Sequence, residues 1–148
     1  MKYIASILIV IFAIESKTSC AQPQSNSDFN SSITFTAYDS GINIAKKFFY
    51  ENEFKKASEV YTITFLNNKD LGFVKDRYNL ACCYAKLNLQ DSAFYQLFRI
   101  AQVGKFYNYQ KIENEILFES IKKDTRWDEL ILIIKKNYEN VQKKLLNN

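Results

Sequence analysis

Histidine does not occur in this chain; glycine occurs three times, proline once, and methionine and tryptophan once each. Each scarcity excludes something. Without imidazole there is no Ser-His-Asp or Cys-His relay and no His-ligated zinc. So few turn formers in 148 residues argue against a sandwich or barrel of many short strands, and for helices joined by short connections. The three glycines stand alone at 41, 72 and 104, so no glycine-rich loop is available to cradle a phosphate. Long basic runs are also missing. Net charge is +4, and 17 lysines against 3 arginines are scattered or paired along the chain. A nucleic-acid footprint gathers such charge on one face; here it reads as a solvated surface, and no nucleic-acid partner is expected.

What remains is ordinary globular material, 47% apolar and 24% charged, in the amount one domain needs. The N-terminus differs from the rest. Lys2 is followed by an apolar run from Ile4 to Ile14, broken only by Ser6, and then by small and polar residues. That is the build of a secretory signal, and the run is shorter than the roughly 20 residues a membrane span needs. Ser19 and Ala21 sit three and one places before a cut ahead of Gln22, so residues 1–21 are expected to be removed on export to the periplasm or medium. A second reading makes Cys20 the lipidated N-terminus of an envelope lipoprotein; Lys17 stands where that motif carries an aliphatic residue. Intact mass distinguishes the two, and only the second places the protein on a membrane. Residues 22–32, Gln-Pro-Gln-Ser-Asn-Ser-Asp-Phe-Asn-Ser-Ser, have little to bury and read as a flexible tether. Residues 33–148 form the folded domain.

Self-comparison of that domain finds an internal offset of 36 residues, which pairs Ile44 with Leu80, Ala45 with Ala81, Phe48 with Tyr84, Asn52 with Asn88, Ala57 with Ala93 and Tyr61 with Leu97. Ile44, Ala45 and Phe48 share one helical stripe. Asn52 follows, a residue that tolerates the left-handed conformation ending a helix. Glu53 then opens a second helix at the positive end of its dipole. The alanines lie where the two helices cross. The second copy repeats this order, with repeats over about 38–71 and 74–107. Val60 to Leu66 is β-branched and aromatic and favours a strand by propensity; the repeat phase overrides this and predicts helix, while the Ile33–Thr36 alternation is ambiguous. Beyond Gly104, Ile112, Ile116, Leu117, Phe118 and Ile121 form a stripe interrupted near Asn114. Asp124 caps a last helix whose inner face carries Trp127, Leu130, Ile131, Ile134, Tyr138, Val141 and Leu145. The fold class expected is all-α: an α-α superhelix of two helix-turn-helix hairpins, closed by a cap over about 109–147.

Tyr78-Asn79-Leu80-Ala81-Cys82-Cys83-Tyr84-Ala85, followed by Asp91-Ser92-Ala93-Phe94-Tyr95-Gln96-Leu97, resembles a tetratricopeptide repeat. Phe118 to Trp127 is similar to the segment that ends many bacterial arrays of this family. The resemblance covers roughly Tyr38 to Leu130, with a period of 36 in place of 34 and with Asn in place of Gly before both second helices. It implies a noncatalytic protein-binding scaffold whose first helices line a concave groove. The matching positions are Asp39, Ile42, Lys46, Phe49 and Tyr50 in the first copy, and Lys75, Tyr78, Cys82, Ala85 and Lys86 in the second. Phe49, Tyr50 and Tyr78 also fall off the core stripe on periodicity alone. Such a groove, aromatic and cationic, suits a protein or peptide carrying an apolar and an acidic residue. Asn79 matches the carboxylate clamp of one subfamily, but Ile42 stands where that clamp has Lys.

No other constellation carries chemistry. Cys82 and Cys83 are adjacent on a helix, about 100° apart, and without a C-x-x-C spacing they read as small core or groove residues rather than a redox or metal pair. A thiol-dependent enzyme is the rival from another class. The carboxylates at 113, 115 and 119 and at 124, 128 and 129 read as helix caps and dipole partners, not as an acid–base pair. No cofactor or metal is expected.

Overall fold

The computed structural model describes residues 30–147, with side chains from Ala37 onward. The expected leader and residues 22–29 of the tether lie outside the described residues. Every element is helical: α1 Asn30–Tyr50, α2 Phe54–Asn67, α3 Val74–Lys86, α4 Gln90–Phe98, a π-helical turn Arg99–Val103, α5 Tyr109–Glu113, a 3-10 turn Ile116–Phe118 and α6 Arg126–Leu146. No strand occurs among the described residues. α1 begins inside the polar stretch read as tether, so residues 30–32 are helical. Val60 to Leu66 lies wholly within α2; burial of Tyr61 and Phe65, at 0% and 2% exposure, outweighs a strand propensity worth about 1 kcal/mol across its whole scale.

Both hairpins turn as the asparagines predict. Asn52 and Asn88 hold φ of 60° and 58°. At each, two backbone bonds close the helix end. Asn52 N–H reaches Phe49 O at 3.1 Å and Glu53 N–H reaches Phe48 O at 2.9 Å; Asn88 and Leu89 repeat this on Ala85 and Tyr84 at 3.1 and 2.9 Å. This is the αL-terminated arrangement that satisfies carbonyls otherwise orphaned at a helix end. The next residue is thereby aimed back along the first helix. Ala45, Ala57, Ala81 and Ala93 all have 0% exposure, so the helix pairs α1–α2 and α3–α4 cross on small side chains.

α3 is the central element. Its Leu80 and Cys83 join Tyr38, Ile42, Ala45, Ala57, Tyr61 and Phe65 in the first hairpin's core. Its Ala81, Cys82 and Ala85 face a second core with Phe94, Leu97, Phe118, Trp127 and Leu130. The two adjacent cysteines are therefore divided between two cores, as their angular separation requires. The widened turn after α4 is fastened by Asn137, whose Nδ2 donates to Ala101 O at 2.8 Å and Phe106 O at 2.9 Å.

The cap departs from one expectation. The inner stripe of α6 is buried at Trp127, Leu130, Ile131 and Ile134, but Tyr138 and Leu145 are 38% and 67% exposed. The helix outruns the body it packs on. Asn114 does interrupt the preceding segment, as the C-cap of α5.

Candidate functional site

The ten residues expected to line a groove divide by burial. Asp39, Tyr50, Lys75 and Lys86 are exposed; Lys46, Phe49 and Asn79 are half-buried; Ile42, Tyr78 and Cys82 are buried. Ile42 and Cys82 are thus core residues, out of reach of a ligand. Two things close this part of the groove. Ile42 is sealed by α3 through Leu80 and Cys83. The segment from Phe106 to Ile121 folds across the face of α3, with Phe118 against Tyr78 at 5.5 Å between ring centres and Ser120 Oγ donating to Ala85 O at 3.0 Å.

The half-buried members are already engaged. Asn79 Nδ2 donates to Tyr61 Oη at 3.1 Å. Phe49 packs edge-on against Tyr50 and Phe54. Lys46 Nζ lies 3.3 Å from Oδ1 of Asp76, a carboxylate with 1% side-chain exposure. That oxygen has no hydrogen bond, so the ammonium neutralises it through space rather than along a bond. The other oxygen accepts from Tyr38 Oη at 3.0 Å, and the same hydroxyl accepts from Phe73 N–H at 3.0 Å. Lys46 and Asp76 thereby tie α1 to α3.

What stays open is a cavity of ≈ 460 Å³ at the start of α3, lined by Phe73, Val74, Lys75, Tyr78, Phe106 and Lys111. This is within the range of ligand pockets. Three aromatic rings form its walls and two ammonium groups its rim. Lys111 Nζ sits 4.6 Å from the Tyr78 ring centre and Lys75 Nζ 6.0 Å from that of Phe73, both within cation–π range. Tyr78 is positioned from behind, its hydroxyl donating to Glu115 Oε2 at 2.8 Å. Burial, reinforced by that carboxylate, pushes the Tyr78 phenol well up from its ordinary value, so it remains a neutral donor; the ring is a largely buried wall of the cavity, 5% exposed.

Of the expected residues, then, Lys75 and Tyr78 come together here. Phe73, Phe106, Lys111 and Glu115 were missed. Phe73 precedes its helix and Phe106 lies where the periodicity loosens. Lys111 carried a readable signal, because one more step of the same 36-residue offset leads from Lys75 to Lys111.

The thiols are placed for packing. Both cysteines are free and buried. Burial pushes the Cys83 thiol up to about 12 and Cys82 further still, so neither is a thiolate at neutral pH. Among the described residues, no group of three or more His, Cys, Asp or Glu could hold a metal ion, and no helix is long and apolar enough to cross a membrane. Comparison with protein-family models, curated proteins and solved structures finds no match to this chain.

Proposed function

We propose that this chain is a noncatalytic binding module of tetratricopeptide type, an exported adaptor or scaffold of the bacterial cell envelope that holds a protein or peptide. The observation that carries the reading is the pocket at the start of α3, where Lys75 and Lys111 flank the rings of Phe73, Tyr78 and Phe106. An aromatic or large aliphatic side chain fits between the rings. A neighbouring carboxylate meets the two ammonium groups, each hydrogen bond to a charged group contributing about 1.5–3 kcal/mol. The ligand is therefore a segment with an acidic residue beside a bulky apolar one. The hairpin turns and alanine crossings support the tetratricopeptide assignment, and the protonated, buried thiols support a noncatalytic role. Export rests on the residues before Gln22.

The test is an array of short peptides in which acidic and aromatic residues are systematically placed, probed with the wild type and with a Lys75→Glu, Lys111→Glu double variant. Lys75 and Lys111 are exposed, so the variant keeps its fold. The expected result is preference for acidic–aromatic segments, weakened by added salt and reduced at least about tenfold in the variant, a loss of about 1.4 kcal/mol. Equal binding by both proteins refutes the pocket.

A further inference from the structure

The repeat shows what becomes of one surface when a neighbour is present. On α3, the face turned toward the first hairpin is covered: Asp76, Arg77 and Leu80 have 0%, 4% and 1% exposure. The same offset of 36 leads back to Ser40, Gly41 and Ile44 on α1. Ser40 is exposed and Gly41 half-buried, and Ile44 is 48% exposed. With Ala37, Val60 and Ile63 they line a cavity of ≈ 390 Å³ along the α1–α2 seam. Nothing among the described residues covers it.

We propose that this face is where two copies of the chain meet across a two-fold axis. Its composition selects that occupant. None of the ten residues lining the cavity is charged, in a chain that is 24% charged. Depletion of charge marks the centre of protein interfaces, and a neutral face meets its own copy without like-charge repulsion. Two-fold pairing of identical patches is also the commonest form of closed assembly. Head-to-tail continuation of the stack is disfavoured, because it would press the exposed Lys136, Glu139 and Lys143 of α6 onto a surface with no charge to pair them.

The packing beneath the face fits the same role. A Cβ at Gly41 would collide with Thr64 Oγ1, so α1 and α2 approach closely there and leave Ile44 and Ile63 as its exposed apolar groups, the latter at 57%. Ile63 is β-branched, which lowers helix propensity. Exposed in a monomer, it gains neither propensity nor burial; covered by a second copy, it gains burial.

Sedimentation equilibrium of the processed chain over a wide concentration range tests this, with three single variants at exposed positions whose melting temperatures are checked against wild type. The expected result is a reversible monomer–dimer equilibrium whose dissociation constant rises at least about tenfold in Ile44→Glu and is unchanged in Ile116→Glu, in the 3-10 turn, and in Leu132→Glu, on α6. A wild type that is monomeric at every concentration overturns the proposal, as it would if residues preceding Asn30 cover the face. A dimer unaffected by Ile44→Glu, or weakened equally by Leu132→Glu, overturns it as well.

Discussion

Asp124 shows how much one half-buried side chain can organise. Its Oδ1 accepts from Arg126 N–H and from Arg126 Nε, both at 2.9 Å, and its Oδ2 accepts from Nη2 at 2.6 Å. One carboxylate thus caps α6 and fixes the guanidinium, which lies 4.3 Å from the Phe94 ring centre and reaches Asp91 at 2.8 Å. The hydrogen bonds from Arg126 hold the Asp124 carboxyl down at about 2, against an ordinary 3.8. A carboxyl whose pKa is depressed by folding contributes stability that is complete above its unfolded value and is lost as pH falls toward its folded one. The expected outcome is that the difference in melting temperature between wild type and Asp124→Asn is constant above about pH 5 and shrinks between about pH 4 and 2. A constant difference down to pH 2 would show that the contacts to Arg126 do not stabilise the charged form.

The hairpin was legible because its chemistry is local. Asn52 and Asn88 adopt positive φ, and asparagine is a residue whose type signals tolerance of that conformation; Lys69 and Lys105, also at positive φ, gave no such signal. The crossing alanines were legible because only small side chains let two helices approach there. Less local features were hidden. The π-helical turn at Arg99–Val103 depends on Asn137, more than thirty positions away, to satisfy the carbonyls of Ala101 and Phe106. The covering of α3 depends on residues 106–121 folding over it, where no period guides the reading. Part of the site was therefore visible, Lys75 and Tyr78 on a regular helix and Lys111 through one more step of the offset, while Phe73 and Phe106 became readable only through the fold. The crossing makes its own prediction. Ala93 is fully buried where α3 and α4 cross; Ala93→Leu overpacks the contact and lowers stability by about 1–3 kcal/mol in urea titration, while Gln90→Leu, exposed on the same helix, changes it by less than about 0.5 kcal/mol. Equal effects would remove the crossing from α4.

The two cores meet through α3, and Arg77 is the joint between them. It is 4% exposed, and its guanidinium lies 4.9 Å from the Phe65 ring centre in the first hairpin. Nη1 donates to Gln96 Oε1 in the second at 2.7 Å, and Nη2 donates to the Asp70 carbonyl in the loop between them. Asp70 and Lys69 both have positive φ, 54° and 58°, so this loop is held in a conformation that non-glycine residues avoid. Stacked hairpins are stable as a sum of units and the interfaces between neighbours. Removing the joint therefore affects cooperativity as well as total stability. Arg77→Leu keeps much of the volume but leaves the buried Gln96 without its donor and the loop without its anchor, at a cost of about 1.5–3 kcal/mol. Trp127, the chain's one tryptophan, reports only the second core, whereas far-ultraviolet circular dichroism reports both. In wild type the two signals unfold together in urea, as coupled units must. In Arg77→Leu the helical signal begins to fall at lower urea than the tryptophan signal, because α1 and α2 melt before the core around Trp127. Coincident transitions with an unchanged midpoint would mean that the hairpins are coupled by apolar packing alone and that the guanidinium is dispensable.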